Sequence, residues 1–350
     1  MVPMEGSGGI NEILERKKGR IGALNIRVDK TVPAGIAVQR RICNENCMFV
    51  KELGIACHED NSYRGPGTAI SNQEILQMVI KIHESAPMPI NIHIAGDGEP
   101  TLFEEELVNL TESLRKLDFI RMIKITTNGT RLSHGAQPLA KRLKTAGIDE
   151  INVSVHSLDP MGFKEVTGID ALHVVIEGIE AAIVAGIKTS VNCLVREETF
   201  KELKSYIELS ARFGIRVKFF GFLDESGRNQ EYADGLLQRM RDTLMQMADA
   251  HAEYTKPYGG VLFQIENAII DLKDLRINNC PVMDCKARDI CLEGCRYHAR
   301  LSPTGILQPC GVRTDNLIDM KNAKVSNKEI LEKLIDGGKI LESEVKWVRV

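Results

Sequence analysis

The sequence predicts an α/β fold built on a parallel sheet. Three observations predict it. Apolar runs of strand length alternate with stretches of helical period from about residue 70 to residue 223. The strand runs read as nearly apolar throughout, as strands do when a sheet is covered on both sides or closed into a barrel. The chain has 350 residues, 43% of them hydrophobic and 27% charged, which is enough to bury a large core without staples.

The elements follow in order. "AGIAVQRR" (34–41) is expected as the first strand, after a leader over 1–34 with little periodicity. "SNQEILQMVIKIHESA" is a helix opened by a capping box, Ser71 and Glu74, with Ile75, Val79, Ile82 and Ala86 on one face. "INIHIAG" (90–96), "MIKITTNG" (122–129), "INVSVHSL" (151–158), "KTSVNCLV" (188–195) and "RVKFFGFL" (216–223) are expected strands. Helices are expected over 103–117, 137–146, 171–185 and 198–213. That makes about six βα units over 35–228, short of the eight of a full barrel. A C-terminal extension, 229–350, begins with a long helix over 229–254 that lacks a strand partner of the earlier kind. It continues through a cysteine-rich segment, 280–310, and a helix over 327–336 opened by Ser326 and Glu329.

Bulk properties exclude several classes. The formal net charge is −3, which advertises neither a nucleic-acid nor an acidic-membrane partner. No apolar run approaches the length of a membrane span. The N-terminus shows no apolar core of a signal peptide, so a cytoplasmic protein is expected. Nine cysteines are the informative count. Cys43, Cys47 and Cys57 cluster early, and Cys280, Cys285, Cys291, Cys295 and Cys310 cluster late. An odd number at uneven spacing argues against a disulfide framework and for metal or cluster ligation in a reducing compartment. Cys193 stands alone in a strand and is expected as core, as are Met240, Leu244 and Met247 at helical spacing.

Ligand sites in such sheets lie at the carboxyl ends of the strands. The loop at 42–57, the turn "GDGEP" (96–100), Thr127–Gly129 and His156–Ser157 all fall there. Gly96 and Gly98 let backbone approach a ligand, Glu99 sets a carboxylate beside it, and Pro100 opens the next helix.

An early C-x3-C loop, then "GDGEP", "TTNGT" and "SVHSLD" after successive strands, resembles the radical S-adenosylmethionine (SAM) enzymes over roughly residues 35–320. The likeness is closer to the GTP cyclases of molybdenum-cofactor synthesis. The resemblance implies a partial (β/α)6 barrel of TIM type, a [4Fe–4S] cluster on three loop cysteines, and SAM on the fourth iron. It implies an enzyme that cleaves SAM reductively and abstracts hydrogen from a substrate, with an electron donor such as flavodoxin or ferredoxin. It gives Gly96, Gly98, Glu99 and Pro100 a SAM-binding role, and places Thr127, Asn128, Ser154 and His156 against the methionine or ribose portions.

This chain departs from the family's C-x3-C-x2-C loop. Cys43, Cys47 and the aromatic Phe49 are followed by Val50, which cannot ligate iron. Three readings compete: Cys57 as third ligand, His58 in its place, or a degenerate site. "CLEGCRYHARLSPTGILQPC" resembles the auxiliary-cluster segment of the GTP cyclases, each spacing one residue longer. The resemblance implies a second [4Fe–4S] cluster on Cys291, Cys295 and Cys310, with Cys280 or Cys285 able to close the fourth position. A zinc knuckle is the competing reading. Arg296 and Arg300 flank that segment as candidate anion holders, and Asp224, Glu225 and Arg228 follow the last barrel strand. The substrate is expected to be a nucleotide-like small molecule or a peptide. The alternative is a protein of this fold that binds metal or a partner without catalysis.

Overall fold

The computed structural model describes residues 9–19, 23–30, 34–35, 43–48, 67–96, 98–221, 230–254, 259–273, 298–310, 313 and 315–338. Among them the strands are β1 (Leu24–Asp29), β2 (Ile90–Ala95), β3 (Ile120–Thr127), β4 (Glu150–Ser154), β5 (Lys188–Leu194), β6 (Arg216–Phe220), β7 (Ala250–Tyr254), β8 (Gly260–Ile265), β9 (Ala268–Lys273), β10 (Ala299–Leu301), β11 (Ile306–Gln308) and β12 (Ile318–Asp319). The helices are α1 (Ile10–Gly19), α2 (Asn72–Ser85), α3 (Glu104–Arg115), α4 (Leu139–Ala146), α5 (Pro160–Thr167), α6 (Leu172–Val184), α7 (Glu197–Phe213), α8 (Gln230–Met247) and α9 (Asn327–Asp336).

All these strands form one sheet in the order β12-β11-β10-β1-β2-β3-β4-β5-β6-β9-β8-β7. Strands β1 to β6 are parallel neighbours in chain order. Strand β10 extends the parallel run beside β1, and β9 extends it beside β6. Only the outer pairs are antiparallel. Five of the expected strands are present and β1, from a stretch not expected as a strand, makes the sixth of a partial barrel of α/β type.

Strand alternation decides the two faces. Ile26, Ile92, Ile125, Ile151, Val191 and Val217 are fully buried and join the helices in one core. A slip of one residue would carry this row to the opposite face, so the row fixes the register. The opposite, inner face is polar. Register pairs Arg27 with His93, His93 with Lys124, Lys124 with Glu150, Asn152 with Ser190, and Lys218 with Asp271. Paired residues share a face, so these side chains line the inside of the curve. The expectation of strands apolar on both sides is therefore corrected. The strand sequences alternate because the inner face carries polar side chains that bond one another, whereas the outer face meets helices.

Helix α2 begins as expected. Ser71 Oγ accepts from the Glu74 N–H, and Glu74 accepts from the Ser71 N–H at 2.7 Å. Ser326 caps α9 through the first of these two bonds alone, accepting from the Glu329 N–H at 3.1 Å. Other expectations change. Residues 36–41 of the expected first strand lie outside the described residues. Strand β1 instead lies within 1–34, the stretch expected as a leader. Ile10 and Ile13 of α1 bury against Tyr254, Leu262 and Ile269. Ile269 pairs with Arg216, so α1 covers the inner-face side of the sheet at that end. The helix expected to reach residue 254 stops at Met247, and the β7–β8–β9 meander then returns a parallel strand to β6. Cys193, Met240 and Leu244 are buried as expected, but Met247 is 41% exposed. No helix among the described residues is long and apolar enough to cross a membrane.

Candidate functional site

The expected ligand loops converge at the carboxyl ends of β1 to β5. Glu99 is the centre of the first group. Its Oε1 accepts from Thr101 N–H (2.9 Å), Thr101 Oγ1 (2.6 Å) and Thr127 Oγ1 (2.6 Å). Its Oε2 accepts from the Asn128 N–H at 2.6 Å. The carboxylate is 2% exposed. Burial raises its pKa, and the bonds from Thr101, Thr127 and Asn128 oppose the rise without cancelling it. Glu99 thus ties the end of β2 to the end of β3. Pro100 opens a 3-10 turn, Pro100–Leu102, capped by Glu99 itself.

Gly129 follows this junction at φ +83, which L side chains rarely adopt. A Cβ there would stand 2.6 Å from Val153 Cγ1. Gly129→Ala is expected to destabilise the fold by about 1–3 kcal/mol, read as a lower urea midpoint at unchanged slope.

The cysteine loop docks beside Glu99. Cys43 and Cys47 are both half-buried. The Glu45 N–H donates to Cys43 Sγ at 3.4 Å, and Cys47 Sγ–H donates to Glu45 Oε2 at 3.6 Å. Asn44 Nδ2 donates to Thr130 Oγ1 (2.9 Å), and Asn128 Nδ2 donates to Asn44 Oδ1 (2.8 Å). On the other side the Asn46 N–H donates to the Thr167 carbonyl at 2.7 Å. Cys47 and Met48 pack with Val166, Leu194 and Phe220. Two thiols at the barrel mouth, one receiving an N–H, form a donor set suited to an iron–sulfur cluster. Phe49, Val50, Cys57 and His58 lie outside the described residues.

His156 marks the end of β4. Its Nδ1 accepts from the Leu194 N–H at 3.1 Å, which leaves the proton of the neutral ring on Nε2. Burial, and then the Arg196 charge, push its pKa down to about 4. Arg196 Nη2 also donates to the His156 carbonyl at 3.2 Å. Ser154 is half-buried two residues earlier, at the last position of β4. Glu202 of α7 holds the next turn, accepting from Ser157 Oγ at 2.8 Å and from the Leu158 and Asp159 N–H groups.

Below the mouth lies the inner face. Asn152 Oδ1 accepts from Lys218 Nζ (2.5 Å) and Ser190 Oγ (2.7 Å), and Asn152 Nδ2 donates to Thr126 Oγ1 at 3.3 Å. Thr126 Oγ1 is 2.8 Å from His93 Nε2, and the His93 ring lies 5.1 Å from that of His298. Arg27, Lys124, Arg216, Lys218 and Arg300 share this face with Asp29, Glu150 and Asp271, so among these residues cations outnumber acids. Burial, then Arg216, Lys273 and Lys124, hold the Lys218 pKa well below the usual lysine range. Arg300 is the one residue of the expected flanking pair that the structure describes, and it pairs with Arg27.

The second cysteine group is described in part. Cys310 is buried after β11. Cys280, Cys285, Cys291, Cys295 and Arg296 lie outside the described residues, as do Asp224, Glu225 and Arg228. Sequence reasoning missed Asn44, Thr101, Thr130, Arg196 and Glu202, which bind loops rather than form motifs. It also missed His93, Lys124 and Lys218, for which strand alternation was the signal.

Comparison with known proteins agrees with this architecture. The family model of the Radical SAM superfamily matches residues 40–210. A probable GTP 3′,8-cyclase of Saccharolobus islandicus (strain Y.N.15.51 / Yellowstone #2) is 30% identical over 284 residues, 80% of this chain and 82% of that one. One from Sulfurisphaera tokodaii is 30% identical over 297 residues, 84% of this chain and 85% of that one. Among solved structures, Streptococcus suis SuiB bound to S-adenosylmethionine aligns with a TM-score of 0.54 at 16% identity. The alignment covers 87% of this chain and 65% of SuiB, so this chain spans just under two thirds of SuiB's length. Native anSMEcpe with bound AdoMet and Cp18Cys peptide aligns with a TM-score of 0.53 at 15% identity, covering 93% of this chain and 85% of that one. At these identities the two structures speak to the fold alone.

Proposed function

The chain belongs to the radical SAM superfamily, and on that premise we propose that it cleaves SAM reductively and abstracts hydrogen from a phosphorylated, nucleotide-like substrate. It is an enzyme of the radical SAM type, similar over most of its length to proteins named as probable GTP 3′,8-cyclases. Cys43, Cys47 and Cys57 would hold the first [4Fe–4S] cluster. When bound, that cluster supplies the electron that breaks a carbon–sulfur bond of SAM and leaves a 5′-deoxyadenosyl radical. The backbone at Gly96 and Gly98, with Asn128, Ser154 and His156, orients SAM. His156 does so as a neutral ring with an Nε2–H donor, because its Nδ1 already accepts from Leu194.

The observation that carries the substrate reading is the cationic inner face. Arg27, Lys124, Lys218 and Arg300 stand beneath the SAM loops, where a polyphosphate would meet them. His93 is 7% exposed, and its Nδ1 has no hydrogen-bond partner among the described residues, so a polar substrate group is expected beside it. A peptide substrate has no comparable call for buried cations. Cys291, Cys295 and Cys310, with Cys280 or Cys285, would hold a second cluster, and flavodoxin or ferredoxin would supply electrons.

Anaerobic reconstitution tests the reading. Iron and sulfide should exceed one [4Fe–4S] per chain, and dithionite with SAM should yield 5′-deoxyadenosine. A nucleoside triphosphate deuterated on its ribose should pass deuterium into that product. Turnover with the unphosphorylated nucleoside or a peptide instead would reject the substrate class. Iron loading without any SAM cleavage would reject the activity.

A further inference from the structure

We infer that Asn44 is a positioning residue that locks the cluster loop to the SAM-binding loops. The inference rests on the radical SAM reading of Cys43 and Cys47. Asn44 stands between those cysteines in sequence, and its side-chain amide closes a three-membered hydrogen-bonded ring. Asn44 Nδ2 donates to Thr130 Oγ1 (2.9 Å), Thr130 Oγ1 donates to Asn128 Oδ1 (2.8 Å), and Asn128 Nδ2 donates to Asn44 Oδ1 (2.8 Å).

The ring continues inward. The Asn128 N–H donates to Glu99 Oε2 at 2.6 Å, and Glu99 is fixed by Thr101 and Thr127. One line of bonds therefore runs from the cysteine loop through "TTNGT" to "GDGEP". Asn44 itself is exposed. An exposed amide gains little from hydrogen bonds it can also make to water, so stability alone is a weak reason for this ordering. Geometry is a better one. A ligand that bridges the cluster and the strand ends needs both held within a few tenths of an ångström. The Asn46 N–H to Thr167 bond anchors the other flank of the same loop and does not reach Asn128 or Glu99.

The experiment uses the anaerobically reconstituted full chain. Asn44→Ala should retain wild-type iron and sulfide while SAM affinity, by equilibrium dialysis, falls about 10-fold, as the loss of one or two net hydrogen bonds implies. The change that SAM produces in the EPR spectrum of the reduced protein should shift or shrink. Thr130→Val should behave alike, Thr130→Ser should restore wild-type behaviour by returning the hydroxyl, and Asn44→Ala with Thr130→Val should be no worse than either alone. Wild-type SAM affinity and EPR response in Asn44→Ala would overturn the inference, as would full additivity of the two changes. Loss of iron as the sole defect would also overturn it, by assigning Asn44 to assembly. A wild-type chain that neither takes up iron nor binds SAM would reject the radical SAM activity itself, a different failure from an inert Asn44 in an active enzyme.

Discussion

Cys57→Ala is expected to abolish SAM cleavage and to remove one cluster's worth of iron, as completely as Cys43→Ala or Cys47→Ala. The argument begins with Val50, which stands where the family's loop carries its third cysteine. Two thiolates leave a cubane under-ligated, so a third donor must come from elsewhere. Cys57 is the next thiol in the chain. Nine residues separate it from Cys47, and an extended chain covers about 3.3–3.6 Å per residue, so reach imposes no limit. The SAM loops supply a second argument. Glu99, Thr127, Asn128 and His156 are ordered by buried bonds that would serve little purpose beside a dead cluster site. Val50→Cys in the Cys57→Ala background should restore both iron and 5′-deoxyadenosine formation through the shorter loop. Full activity in Cys57→Ala would reject this ligand, and loss in His58→Ala would then name its replacement. A wild-type chain without the cluster, gaining it only with Val50→Cys, would identify a degenerate site.

The helices and the ligand loops were legible because local chemistry specifies them. Ser71 and Glu74 cap α2 by bonds within four residues, and "TTNGT" carries Gly129 where the backbone needs a positive φ. The missed elements lack such local marks. In β1, "LNIRVD", alternate residues Asn25, Arg27 and Asp29 lie on the polar inner face, so its polar positions read as a charged leader. In β7, "AHAEY" has helical propensity, and pairing with β8 overrides it. Helix α5 is short, yet Asp159 before Pro160 was a readable start, with the Asp159 carboxylate accepting from the Gly162 N–H at 2.7 Å. The loop-binding residues were out of reach for another reason. Asn44 and Asn128 are 84 residues apart, and nothing local in either announces the other.

Lys218→Met is expected to lower kcat/KM for a phosphorylated substrate about 10- to 100-fold, the equivalent of about 1.5–3 kcal/mol for a hydrogen bond to a charged group. SAM affinity and substrate-free SAM cleavage should not change, since Lys218 lies on the inner face below the SAM loops. The same substitution should leave the fold as stable as before or more so. Lys218 is 5% exposed, and Arg216, Lys273 and Lys124 lower its pKa together with burial. A lysine so placed costs stability in the ligand-free protein, and an uncharged side chain of similar volume relieves that cost. Its bond to Asn152 Oδ1 and the Glu150 charge compensate in part, and Ser190 Oγ continues to satisfy Asn152 when the lysine is lost. The pH dependence follows from the sign of the shift. Below its lowered pKa Lys218 is charged and attracts a phosphate, and as pH rises through that value the charge and the attraction are lost. Wild-type KM should therefore climb with pH starting well below the usual lysine range, and the Lys218→Met profile should be flat over the same interval. A bound anion stabilises the ammonium and raises its pKa, so calorimetry in buffers of different ionisation enthalpy should show proton uptake on substrate binding in that interval and none in the variant. An unchanged kcat/KM, or an equal loss of SAM affinity, would remove Lys218 from the substrate site.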